Sequence, residues 1–572
     1  MKTSILLLLA AGLSFSAQAQ WNSNPAQNLA VRDATGIAEV TPRISPAPNG
    51  GTWLAWFESV ATTNYQMRLQ LLDVNGRPQL GTAGLLVSNQ PQASALYRYD
   101  LKTDNLGNAV LAFQDTRTGR SQCVAYKISP NGTQLWGANG IALLDPDATS
   151  SLSPTIGFTF GDNVVIAWNS SGAATTAHAS KWVAFQKLSP TGLALSGVNR
   201  VQDPIKRYSR PAITGMTSNA LGADDVVMQY VEETGSGLGV STVYAQRFGT
   251  TSAPVWTAPV RVSDKTIGFA AFPEFVPDGS GGFYLLLGSG NPASAALGDM
   301  YAQRVLADGS LPWGSTGTEI LAGTATARIG GSLQWVAARN EVWVVVNELN
   351  SSQSSSGFTV QRLAPATGAV QLGSSGVPLQ AVSAKYYAAQ TLRDTGAGLI
   401  ITYTENTSAL NRALWATKID YLAQPAFPAA SRNVLLSSVA SPKLNFATLP
   451  FTNNQLVNVW ADQRTDDGIY AQTISGTGTL GVLAARRATA AQPLVVSPNP
   501  GSAPTLHLTL HTAQTLEVTV RDLTGRTVHL VRAEVAGGEA TLPLAAPHLP
   551  AGVYILETTV AGQPWQGRWV NP

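Results

Sequence analysis

One strand-like tripeptide returns along most of this chain at nearly constant intervals: Leu54-Ala55-Trp56, Leu111-Ala112-Phe113, Ile166-Ala167-Trp168, Met228-Gln229-Tyr230, Leu285-Leu286-Leu287, Val344-Val345-Val346, Ile401-Thr402-Tyr403 and Asn458-Val459-Trp460. Their last residues are 57, 55, 62, 57, 59, 57 and 57 apart. A fixed period of this length marks an array of supersecondary units, each unable to hide its apolar face alone. Turns rich in Gly, Asn and Asp precede the tripeptide, as in Asn49-Gly50-Gly51 and Asp394-Thr395-Gly396, because these residues tolerate positive φ. A third strand follows it, seen in Tyr244-Ala245-Gln246-Arg247 and Tyr301-Ala302-Gln303-Arg304, then a turn such as Asn75-Gly76 or Asp308-Gly309. A fourth segment closes the unit, clearest at Trp136-Gly137 and Trp313-Gly314. Four short strands in a meander are the unit of a propeller blade. Tandem sandwiches need roughly 100 residues per domain, about twice this period.

Eight such units begin near Pro42, Tyr97, Pro154, Pro211, Pro273, Gly330, Tyr387 and Pro442. The eighth lacks a fourth strand before the composition changes, and the segment Trp21 to Val31 has the pattern of the missing one. A ring whose last unit borrows a strand from the start of the chain leaves no long exposed edge. The expectation is an all-β chain with an eight-bladed β-propeller over residues 20–480 (seven blades if one weak unit is miscounted) and a small C-terminal β-sandwich.

Composition narrows the function. Charged residues are 12% of the chain and the formal net charge is +2, which gives no strong field for nucleic acid or anionic lipid. Lys2, the apolar run Ile5 to Leu13 and Ala17-Gln18-Ala19 read as a signal peptide over 1–19, with the mature chain starting at Gln20. No later apolar run is long enough for a membrane helix. Cys123 is the single cysteine and lies in an apolar run, as a buried inert thiol would.

After an Ala-rich linker at 481–493, residues 494–572 alternate as strands of a small antiparallel sandwich. They carry Ser497-Pro498-Asn499-Pro500, then Asp522-Leu523-Thr524-Gly525-Arg526, then Leu549-Pro550-Ala551-Gly552-Val553-Tyr554. In that order these motifs resemble the C-terminal sorting domain of the type IX (Por) secretion system of Bacteroidetes, with Ser497, Pro498, Asn499, Pro500, Gly525, Gly552 and Tyr554 as its motif residues. The resemblance implies passage through the periplasm, engagement of the type IX machinery, and release or anchoring at the cell surface. The ending Gly567 to Pro572 departs from the basic, apolar last strand common in that family. The body is similar to secreted Bacteroidetes repeat proteins that carry Trp-Ala-Asp-x-Arg and Ile-Tyr-Ala-Gln, here Trp460 to Arg464 and Ile469 to Gln472. That likeness implies no activity.

Chemistry is thinly signalled. Four of the five histidines lie in the C-terminal segment, leaving His178 alone in the body, where its Ser/Ala/Thr-rich loop suggests a solvated side chain. A His-based triad or a several-imidazole zinc site is therefore not expected. Glu232-Glu233, Asp115, Asp462 and Asp466-Asp467 are the carboxylates a glycosidase could use, but the pairs Asp115/Arg117 and Asp462/Arg464 read first as loop salt bridges. No metal or cofactor is expected. The segments entering the first strands are richer in aromatic and basic residues: Tyr97 and Tyr99, Arg207, Tyr208 and Arg210, Phe272, Tyr386 and Tyr387. Rings beside guanidinium groups suit a glycan or protein ligand. The expectation is thus a non-catalytic recognition or adhesion module, not an enzyme; the alternative is a polysaccharide hydrolase or lyase using carboxylates and Tyr.

Overall fold

The computed structural model describes residues 21–481 and 492–572 apart from short internal segments, the longest being 216–223, 235–240, 269–273 and 290–297. The signal segment 1–19 and most of the 481–493 linker lie outside the described residues. The chain divides into two compact units, Met1–Val482 and Leu483–Pro572. No helix among the described residues is long and apolar enough to cross a membrane.

In the first unit the described strands form eight four-stranded antiparallel sheets. Seven are plain meanders, such as Glu39–Pro46, Thr52–Ala61, Asn64–Leu72 and Leu85–Ser88 in the first sheet. The eighth joins Lys443–Thr448, Leu456–Gln463 and Asp467–Ile474 to Leu29–Arg32, which pairs with the third of these (Leu29 opposite Ala471). Each recurring tripeptide lies in the second strand of its sheet, where both faces are buried; Trp53 to Phe57 are fully covered. That explains runs of consecutive apolar residues in place of strict alternation.

Apolar cores form between sheets. Phe57 and Leu69 of the first sheet meet Leu111 and Tyr126 of the second; Cys123 and Ala125 of the second meet Ile166 and Trp168 of the third. The series ends where Trp21, Leu29 and Val459 of the eighth sheet meet Leu54 and Trp56 of the first. The sheets therefore close on themselves.

Polar latches repeat at the same joints. The indole N–H of Trp136 donates to the Pro190 carbonyl (3.3 Å), Trp256 to Ala307 (3.0 Å) and Trp313 to Pro365 (2.9 Å), each on the next sheet. Trp21, contributed by the N-terminal segment, makes the equivalent bond to Val74 at 2.9 Å. The facing turn residue Gly76 has φ +81°, and a Cβ there would stand 2.9 Å from the Trp21 ring. Cations on the third strands span the same joints: Lys127 reaches Pro190 (3.0 Å), Arg304 reaches Pro365 (3.1 Å) and Lys418 reaches Gly476 (2.8 Å). A Gln at the same place in the third strand ties it to the segment beyond it, as Gln303 of Ala302-Gln303 does to Gly314 (2.8 Å) and Gln361 of Val360-Gln361 to Gly373 (2.7 Å).

The second unit has a five-stranded and a three-stranded sheet sharing a core that includes Leu506, Val518, Leu556 and Trp569. The Ser497 to Pro500 segment grips the last strand: Asn499 Nδ2 donates to the Arg568 carbonyl (2.6 Å) and its Oδ1 accepts from Val570 N–H (2.9 Å). Gly552 opens the strand Gly552–Val560, and buried Tyr554 packs 5.3 Å from Trp569 with its hydroxyl on Pro550 (2.7 Å). Gly525 lies outside the described residues.

The ring-closing joint holds an unusual carboxyl group. Glu39 faces Glu58 across the first hairpin, and Arg32 of the N-terminal strand lies 3.3 Å from Glu39 and 3.0 Å from Glu58. Burial pushes Glu39 up to about 7, against the Ala34 N–H and Arg32, which pull it down; Glu58 and Asp33 add to the rise. The native state thus keeps a proton that the unfolded chain releases in the ordinary carboxylate range. This contribution to stability is complete below that range and lost as pH rises through about 7. Between about pH 5 and about pH 8 the urea midpoint of Glu39→Gln is expected to fall less than that of the unaltered protein; parallel falls would contradict the assignment.

Candidate functional site

The innermost strands share a distortion. Their ladders skip between Val40 and Arg43, Leu152 and Thr155, Ser209 and Ala212, and Leu444 and Ala447. At each skip a non-glycine residue takes positive φ: Thr41 (54°), Ser153 (55°), Arg210 (54°) and Asn445 (53°). Such bulges re-aim the side chains that follow them. The strain is held by the neighbouring sheet, as when Asn169 Oδ1 accepts the Arg210 N–H at 2.7 Å and Gln114 Oε1 that of Ser153 at 3.4 Å.

These bulges wall a cavity of 430 Å³ on which the inner segments of seven of the eight sheets converge. Asp100 is fixed across two sheets: its carboxylate accepts N–H bonds from Leu101 (2.9 Å) and Ile156 (2.8 Å) and the Thr155 hydroxyl (3.3 Å). Phe275 and Phe446 also line this space. Arg43 donates to the Tyr99 carbonyl (3.3 Å) and lies 5.7 Å from the centre of that ring. Arg98 is reachable by solvent yet enclosed by protein; burial, then the charge of Arg43, brings its guanidinium down to about 10. It stays charged at neutral pH.

The residues singled out in the sequence divide. Tyr99 and Arg210 line the cavity. Tyr99 is nonetheless a packing residue: it is buried, its hydroxyl lies 2.7 Å from the Thr41 carbonyl and 2.8 Å from that of Ala55, and burial holds the phenol protonated. The Arg210 guanidinium turns to Gly268 (3.3 Å) and to the Ser241 hydroxyl. Tyr208 stands edge-on to Tyr230 (5.2 Å) and Tyr387 to Tyr403 (6.0 Å), half-buried in their own sheets. Arg207 pairs in register with Glu233, and Tyr386 is a half-buried residue at φ 51°. None of these four is part of the cavity wall. Tyr97 and Phe272 lie outside the described residues. Arg43, Lys102 and Arg393 line the cavity and were missed, although the in-phase Pro42, Pro154 and Pro211 signal bulges, since Pro cannot donate to a ladder.

Two further expectations meet their structural outcome here. His178 is not solvated: it is buried, 4.1 Å from the Trp182 ring centre, with Nδ1 2.9 Å from the Ala179 carbonyl oxygen. The Ser/Ala/Thr-rich loop folds over it because Trp182 offers an apolar face. The Trp-Ala-Asp-x-Arg motif is a buried network: Asp462 accepts from Trp460 Nε1 (2.8 Å) and Arg464 Nε (3.0 Å) and lies 3.3 Å from Lys443 Nζ. Arg464 goes on to Asn28 of the N-terminal segment (2.6 Å) and covers Tyr470 at 3.8 Å. Asp115 is likewise held by Arg117 at 2.8 Å. Cys123 is buried, which pushes its thiol well above the usual range.

No family model and no curated protein matches the chain. Solved structures do. A GH93 α-L-arabinofuranosidase of Fusarium graminearum in complex with arabinobiose is 11% identical, with 58% of this chain and 96% of that one covered and a TM-score of 0.34. The polysaccharide lyase Uly1 is 10% identical over 80% and 97%, TM-score 0.37. A PL25 ulvan lyase is 10% identical over 82% and 97%, TM-score 0.36. Against the expectation that this chain is not an enzyme, the solved structures it is similar to include hydrolases and lyases. At such identities they name no reaction for it.

Asp462 offers a direct test of the buried brace around it. Asp462→Asn leaves fully buried Lys443 without its counter-charge, which is expected to cost about 3–5 kcal/mol in urea unfolding. An unfolding midpoint no lower than that of the unaltered protein would contradict the structural role.

Proposed function

We propose that this chain is an exported carbohydrate-active protein: an eight-bladed β-propeller that cleaves a polysaccharide segment bound in its axial cavity, followed by a small β-sandwich that carries it across the outer membrane by the type IX route. The observation that carries the reading is the cavity itself. Its 430 Å³ lies within the range of about 300–1,000 Å³ typical of ligand sites, and it combines the rings of Phe275 and Phe446 with a fixed carboxylate, an arrangement suited to a sugar's apolar face and its hydroxyls. Asp100 is the one carboxylate among the described residues lining it, so Asp100 is the group placed at the scissile bond. Tyr99, whose ring the sequence suggests for ligand binding, has its hydroxyl committed to backbone carbonyls. The export reading is supported by the order of the C-terminal motifs and by the way Asn499 and Tyr554 organise the last strands.

One experiment addresses both parts. The full chain and a version lacking residues 494–572 are expressed in a host with a type IX system, and the medium is assayed for depolymerisation of a panel of neutral and acidic polysaccharides. The full chain is expected to yield activity in the medium, the shortened chain to retain it in the cells, and Asp100→Asn to lose about a hundredfold or more. Folded, secreted protein that cleaves nothing on the panel, or an undiminished Asp100→Asn, would overturn the catalytic reading; equal secretion of both chains would overturn the export reading.

A further inference from the structure

The wall of the axial cavity is incomplete on one side. Among the described residues, every sheet but the sixth contributes to its lining, with Phe275 from the fifth and Thr391 from the seventh. The sixth sheet is nevertheless in place between them: its Val344 shares a core with Leu286 of the fifth, and its Val345 one with Ile401 of the seventh. Two consecutive glycines account for the gap. The innermost strand of the sixth sheet, Ala327–Val336, carries the same break in its ladder, between Ile329 and Gly331. Asn347 pairs there with Ile329 as Asn169 pairs with Leu152 in the third sheet. By that register Gly330 occupies the bulge place of Thr41, Ser153, Arg210 and Asn445, and its φ of 59° is close to their 53–55°. Gly331 takes the place of Pro154, Pro211 and Phe446, which line the cavity.

The two glycines differ in what holds them. A Cβ on Gly331 would stand 2.1 Å from the Val345 carbonyl oxygen, so backbone contact requires glycine there. Gly330 is exposed, and among the described residues a Cβ on it would have only Asn347 Nδ2 within 4 Å, at 3.8 Å. Backbone conformation does not demand glycine at 330 either, since four other residue types hold the same φ in this chain. Asn169, the counterpart of Asn347, is on the cavity wall, so a side chain at 330 would stand where the wall is missing. We propose that Gly330 keeps a window open in the wall, through which a saccharide branch on the bound polysaccharide leaves the cavity over the sixth sheet. The substrate class is thus a branched polysaccharide. This rests on the carbohydrate reading above and specifies which polymers the site accepts. An unbranched chain needs no lateral outlet, whereas a branch departs sideways and collides with a closed wall. Sites discriminate by clashes built against a misfit as well as by contacts to the right ligand, and here the clash is left out at one place. Ile329, beside the window and 49% exposed, offers an apolar surface to the emerging sugar.

The test uses the mature full-length protein and affinity electrophoresis in gels containing matched polymers: debranched and branched arabinan, mannan and galactomannan, xylan and arabinoxylan. Substitutions taken from the same place in other sheets keep the backbone: Gly330→Ser follows Ser153 and Gly330→Asn follows Asn445. The unaltered protein is expected to be retained by the branched member of at least one pair. In Gly330→Asn, checked for unchanged melting, retention by that branched member relative to the linear one should fall roughly tenfold, and in Gly330→Ser by less. If Gly330→Asn melts early, the direction of the same ratio in Gly330→Ser decides. Retention by linear members only overturns the branch and leaves the carbohydrate reading standing. A ratio unchanged in both variants overturns the role of Gly330. Retention by none of the polymers overturns the carbohydrate reading itself.

Discussion

A four-stranded meander buried on both faces cannot end anywhere except against another one. Every other feature of the first unit depends on that constraint. Each sheet supplies apolar side chains to two interfaces, and the interface between the eighth sheet and the first exists only because Leu29–Arg32 hydrogen-bonds to Asp467–Ile474. Without that strand, the outer edge of the eighth sheet would be exposed and Trp56 would lose part of its cover. The N-terminal segment is tied in over most of its length: Trp21 latches Val74, Asn28 donates to the Leu436 carbonyl (2.8 Å), and the Tyr470 hydroxyl donates to Asp33 (2.5 Å). Residues more than four hundred positions apart in sequence are thus made neighbours.

Closure also creates the site. When sheets radiate from a common axis their innermost strands crowd, and a bulge at Thr41, Ser153, Arg210 or Asn445 lets each strand bend while turning side chains toward the axis. The strained residues are where function concentrates, and here they stand beside Arg43, Thr155 and Phe446 on the cavity wall. The same geometry that satisfies packing therefore gathers charges from sheets far apart in the chain. Asp100 shows the coupling most plainly, since its carboxylate holds the second sheet to the third while facing the cavity.

The architecture was legible because its causes are periodic. The tripeptides, the turns before them and the Trp-Gly segments recur in phase, and Trp21 to Val31 could be matched to a missing strand by pattern alone. The site was legible only in part. Tyr99 and Arg210 were found because aromatic and basic residues cluster before the first strands, but the same rule also selected Tyr208 and Tyr387, whose rings pack within their own sheets. Arg43 and Arg393 carry no local motif; what brings them together is the convergence of sheets, a long-range property. His178 was misjudged because a loop's polar composition does not reveal that Trp182 lies beneath it. The Asp462/Arg464 pair of the Trp-Ala-Asp-x-Arg motif reads in the sequence first as a loop salt bridge, and it is part of a wider internal brace, since its carboxylate is engaged by Trp460, Arg464 and Lys443.

Ring closure by the N-terminal strand is the claim on which the cavity and its chemistry stand. Its most direct test is the urea unfolding of the mature chain compared with a version beginning at residue 37, in which that strand is missing. A marked loss of stability, restored when a peptide spanning residues 21–36 is added back, is the result expected. A shortened protein that unfolds at the same urea concentration, with or without the peptide, would contradict the account.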